Sequence, residues 1–97
     1  MSTASTSSSS AQTIRLAEWG PDVTGRTRGA EVRERIEAEA TDVVFDCAGV
    51  ESMSPSFADE LFGKLATEDP RPHISVVNAG ADIISAIRFA ARQRTTA

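Results

Sequence analysis

Residues 42–65 read DVVFDCAGVESMSPSFADELFGKL, and the order of patterns within them decides the fold. Asp42 to Ala48 is a continuous apolar run of strand length, the mark of a central strand covered on both faces. Ser54-Pro55-Ser56 then opens a helix whose apolar stripe is Phe57, Ala58, Leu61, Phe62 and Leu65. Ser56 stands where an N-cap belongs. Its hydroxyl can accept from the N–H of Asp59, and an acid at that spacing matches the capping pattern.

Working outward, Asp69-Pro70-Arg71-Pro72 ends this helix, because proline lacks a donor and clashes with the preceding turn. His73 to Ala79 is a further strand. Gly80 to Arg94 is a last helix with Ile83, Ile84, Ile87, Ala90 and Ala91 turned inward. Arg88, Arg92 and Arg94 lie toward its C-terminus, where the helix dipole favours cations.

On the other side, Gly29 to Ala40 is helical by the spacing of Val32, Ile36 and Ala40, with Glu31–Arg35 and Arg33–Glu37 placed to pair along it. Thr13 to Trp19 reads as a half-buried strand closed by the Gly20-Pro21 turn. Val23 to Arg28 is a short strand or a loop, with Gly25 as its turn residue. The alternation β-(β)-α-β-α-β-α predicts an α/β fold, a small open sheet of three to four strands with helices packed on it.

Six of the first twelve residues are serine and none is charged, so Met1 to Gln12 is expected to be a disordered tail. Residues 13–97 are then a single domain, near the lower size at which one core suffices. So small a domain rarely encloses a deep pocket, which places a binding or switching module ahead of an enzyme.

The formal charge of −4 excludes a nucleic-acid binder built on a basic face. The charge is unevenly spread: net +1 over 13–30, −8 over 31–69 and +3 over 70–97. A solvated helical face explains most of this acidic middle, and a charged docking surface is the alternative. Cys47 is the only cysteine, so no intrachain disulfide forms. The Ser-rich start lacks the basic and apolar regions of a signal peptide, and no apolar run approaches the roughly 18 residues of a membrane span. A cytoplasmic protein without membrane contact is expected.

Cys47 follows Asp46 at the C-terminal end of its strand, where open α/β sheets place their sites. His73, the single histidine, opens the next strand and falls at the opposite edge, so a Cys–His nucleophile pair is disfavoured and Cys47 is expected to be structural. One Cys and one His cannot make a zinc site, and no calcium-loop or phosphate-loop spacing is present, so neither a metal nor a cofactor is expected. Arg26 and Arg28, beside Gly29 and a helix start, suit an anion or nearby acids. Ser56 combines capping with access for a kinase. Phosphate there is favoured by the helix start and opposed by Asp59 and Glu60.

The strand ending in Asp-x-x-Gly-Val, the Ser-containing loop and the helix with Gly63 resemble the STAS domains of bacterial anti-sigma-factor antagonists. The tracts SPSFADELFGKL and GRTRGAEVRERIE are closer still to uncharacterised bacterial STAS-like domains. Antagonists carry a Met-Asp-Ser-Ser-Gly pattern at this loop, phosphorylated on its second serine. Met53 matches the Met, Ser54 replaces the Asp, Pro55 takes the first Ser, Ser56 the phosphorylated Ser, and Phe57 the Gly.

The resemblance implies a non-enzymatic regulatory module that docks a protein partner through Met53, Pro55, Ser56, Phe57, Asp59 and Glu60. Phosphate on Ser56, or on Ser54, would switch that docking. The implied partner is an anti-sigma factor or a serine kinase with a histidine-kinase-type ATPase fold. The alternatives are a constitutive interaction or homo-oligomer-forming subunit with Ser56 as a cap alone, and a small ligand binder or enzyme using Asp46, Arg26 and Arg28.

Overall fold

A computed structural model describes residues 11–95. The elements run β1 (Ala11–Arg15), a 3-10 turn (Leu16–Trp19), β2 (Asp22–Val23), α1 (Arg26–Glu34), β3 (Asp42–Asp46), β4 (Ser52–Met53), α2 (Pro55–Ala58), β5 (His73–Val77) and α3 (Ala81–Thr95). Helix α2 continues without a break into a π-helical stretch, Asp59–Gly63. Strands β1, β3 and β5 form a parallel sheet in that order, and β2 and β4 pair as a separate parallel ribbon. The small α/β architecture is the expected one.

Several boundaries differ from the expectation. β1 begins at Ala11 rather than Thr13 and ends before Leu16, where the chain turns. Gln12, assigned to the tail, is built into the fold: its amide donates to the carbonyl of Arg35 (2.7 Å) and accepts from the N–H of Glu37 (2.8 Å). It thereby satisfies backbone groups at the end of α1 that the helix cannot satisfy itself. Residues 1–10, the rest of that expected tail, lie outside the described residues.

α1 starts three residues earlier than its apolar spacing suggests and stops before Ile36 and Ala40, which still pack on the core from the loop. The arginines expected to pair along α1 reach outside it instead, Arg35 toward Glu18 and Arg33 toward Glu60.

β3 is covered on one face only. Val43 and Phe45 are buried under the helices, whereas Val44 lies half-buried on the other face between Thr13 and Ser75. With short polar neighbours on both sides, an apolar run does not require a second layer.

The helices pack around α2. Phe57, Leu61 and Leu65 are essentially without solvent exposure, and Phe62 meets Phe45 edge-on with ring centroids 5.0 Å apart. Two glycines set how closely its neighbours approach. A β-carbon on Gly29 of α1 would fall 2.9 Å from Cβ of Glu60 and 3.0 Å from the carbonyl oxygen of Phe57. One on Gly63 would fall 2.7 Å from Oδ1 of Asp59 and 3.3 Å from the carbonyl oxygen of Ala90 in α3. Both are closer than packed side chains tolerate. α2 is therefore held between α1 and α3 as well as against the sheet. Among the described residues no helix is long and apolar enough to cross a membrane.

Candidate functional site

The start of α2 is fixed by the β2–β4 ribbon. Val23 pairs with Met53, and the N–H of Ser54 donates to the carbonyl of Val23 (3.0 Å). Ser54, not Ser56, is the N-cap: its hydroxyl accepts from the N–H of Phe57 at 3.1 Å. The reason is Pro55. Proline is preorganised for the first helical position and pushes the residue before it into the extended conformation that a cap needs. Ser54 adopts it, at φ −76° and ψ 155°.

Ser54 has a second acceptor duty, taking the N–H of Gly25 at the start of α1 (3.1 Å). These two bonds occupy both lone pairs of the hydroxyl oxygen. Its own hydrogen is then the donor in the 3.2 Å contact with Ser56 Oγ. Ser54 thus ties two helix starts together, and Ser56 is left as the hydroxyl with a hydrogen to offer. Ser54→Ala is expected to lower stability by about 1–2 kcal/mol, whereas Ser56→Ala changes it little. Urea unfolding of the two variants checks this.

Asp59 and Glu60 are engaged inside the molecule. Asp59 takes a bidentate clasp from Arg94 of α3 (both contacts 2.8 Å) and a 2.7 Å bond from Arg26 of α1. These partners, Arg94 foremost, hold its carboxyl far below the usual carboxylate range. Glu60, its side chain 9% exposed, accepts from Lys64 at 2.9 Å and Arg33 at 2.7 Å, and its titration is also shifted down, chiefly by Lys64. The repulsion expected between these acids and a phosphate on Ser56 is offset, since four cations surround two carboxylates.

Of the six expected partner-contact residues, Phe57 and Glu60 are buried, Asp59 is held in ion pairs, and Met53 packs half-buried on the core. Pro55 is exposed and Ser56 half-buried. They line a groove of about 700 Å³ between α2 and α3, together with Arg26, Asp82, Phe89 and Gln93. Phe89 is 59% exposed. Helical spacing marked the inward residues of α3 but had no means of marking Phe89, whose significance comes from the groove beside it.

The alternative site does not assemble. Arg26 holds an anion, but that anion is Asp59 of the same chain. Arg28 donates to the carbonyl of Trp19 (3.2 Å) and faces Glu31. Asp46 accepts from the side chain of Asn78 and the N–H of Ala48, both at 3.0 Å, and these bonds lower its pKa. Cys47 is buried, and desolvation raises its thiol pKa, which keeps it in the unreactive protonated form. His73 pairs in register with Asp42, at the far end of β3 from Cys47, and the two never meet. Among the described residues no three His, Cys, Asp or Glu side chains gather to hold a metal ion.

No curated protein and no solved structure matches this chain. The family model described as a STAS-like domain of unknown function (DUF4325) matches residues 28–83, from the first turn of α1 through β3, the Ser54 cap and β5 into α3. That match covers more than half of the sequence, and the chain belongs to the STAS-like domain family.

Proposed function

We propose that this STAS-like domain is a regulatory module that docks a protein partner over the groove between α2 and α3, and that phosphate on Ser56 controls the docking. The supporting observation is the position of Ser56, whose hydroxyl shares a groove with exposed Phe89 and with Arg26. Unmodified, the groove offers Pro55 and Phe89 as apolar contacts beside a small hydroxyl. A phosphate adds about −1.5 to −2 charge, and burying it under a partner is costly unless a cation meets it. The domain itself changes little, because Ser56 carries no cap. Ser54 is the poorer acceptor of phosphate, since modification there would break both of its backbone bonds. By analogy with antagonists, the partner is an anti-sigma factor or a serine kinase with a histidine-kinase-type ATPase fold.

The test incubates the full chain with ATP and a serine kinase of the histidine-kinase-type ATPase fold, followed by peptide mass spectrometry and binding measurements. One phosphate on Ser56 is expected, with Ser56→Asp and Phe89→Ala each weakening partner binding about tenfold or more. If Ser56 gains no phosphate and Ser56→Asp binds as well as wild type, the switch is wrong. If Phe89→Ala also binds normally, docking at this groove is wrong too.

A further inference from the structure

The opposite flank of α3 carries a second groove. α3 rests on α2 where Gly63 meets Ala90, and that contact leaves its Ile84–Ile87 edge standing beside β5. Ile74 and Val76 of β5 face Ile84 and Ile87 of α3 across a cleft floored by Phe62 and Leu65, about 640 Å³ in volume. This lies within the roughly 300–1,000 Å³ of small-molecule sites.

Two arginines stand on its rim. Arg71 and Arg88 line the cleft together with His73, whose ring faces Asp42 at 3.3 Å, and no Asp or Glu is among the lining residues. Arg71 is steadied by one bond, from Nη1 to the carbonyl of Ala66 (3.0 Å), and guanidinium has further N–H donors to offer. Arg88 has no hydrogen bond or ion pair among the described residues. α3 starts just after β5 ends, so Arg88, further along the helix, lies on the side where Arg71 precedes β5 and His73 opens it.

We propose that this cleft binds a free long-chain carboxylate, with its chain along the aliphatic walls and its head group between Arg71 and Arg88. The half-buried isoleucines lining the cleft gain from an apolar occupant that covers what they still expose, and two guanidinium groups without an acid among the lining residues select an anionic head. The proposal is independent of the Ser56 groove, because the two grooves use different faces of α3.

The test titrates the full chain with dodecanoate below its micelle concentration, with dodecanol and dodecyltrimethylammonium as controls. Calorimetry gives affinity, and isoleucine methyl NMR gives location. One-to-one binding of dodecanoate is expected, with shifts at Ile74, Ile84 and Ile87 and much weaker binding of the cationic amphiphile. The exposed pair Arg71→Ala/Arg88→Ala should lose tenfold or more in dodecanoate affinity and little in dodecanol affinity, while Ser56→Asp leaves both unchanged. Equal binding of the cationic amphiphile, unchanged dodecanoate affinity in the double variant, or saturable binding of an acidic helical peptide but not of dodecanoate would overturn the proposal.

Discussion

Phe57→Ala is expected to cost about 3–5 kcal/mol, the range for deleting a fully buried phenylalanine. Phe57 is 0% exposed and sits in the first turn of a helix enclosed on three sides. A domain of this size has roughly 4–13 kcal/mol in total, so one substitution removes a large part of it. Thermal unfolding should move down by at least about 12 °C. The result separates two roles for the same residue. As a docking contact, Phe57 would be replaceable without harm to the fold, and a melting temperature within a few degrees of wild type would show that α2 is less enclosed than described.

Asp59→Asn tests the ion-pair cluster. The amide preserves shape but ends the charge-assisted bonds to Arg94 and Arg26, an expected loss of about 2–3 kcal/mol at neutral pH. Its pH dependence has a definite sign. The carboxyl of Asp59 is depressed in the folded state, so its stabilisation is complete above the ordinary Asp value near 4 and is lost as pH falls below it. Glu60 acts in the same direction. The gap between wild type and Asp59→Asn should therefore narrow by about 1.4 kcal/mol per pH unit below pH 4, read from urea midpoints between pH 7 and pH 2.5. A gap that stays constant with pH would mean that Asp59 contributes shape rather than charge.

The order of elements was legible because apolar runs and proline stops are local signals. Val43–Phe45, His73–Val77 and the long α3 announce themselves in their own residues. The ribbon of β2 and β4 did not, since two residues show no period. The site was harder to see. A 3.6-residue stripe assumes one buried face, whereas α2 is enclosed by α1, α3 and the sheet, so its acids also turn inward. The signals that α2 is enclosed were Gly29 and Gly63, meaningful only once a neighbour is known to lie against each. Pro55 did mark the cap at Ser54, but the Ser-x-x-Asp pattern starting at Ser56 competed with it.

The π-helical stretch in α2 has a consequence for the length of the chain. One residue rotates an α-helix by about 100°, and a π turn absorbs such a rotation in place. Deleting one residue within Asp59–Gly63 would therefore let the helix relax to regular winding while the residues after it keep their facing, with Leu65 still on the floor of the cleft beside β5. A further insertion has no such slack and would swing everything after it by about 100° round the axis, so that Gly63 no longer lies under Ala90. The stretch works as a phase adjuster between a start fixed by Ser54 and an end fixed by the core, and it holds one residue more than regular winding needs.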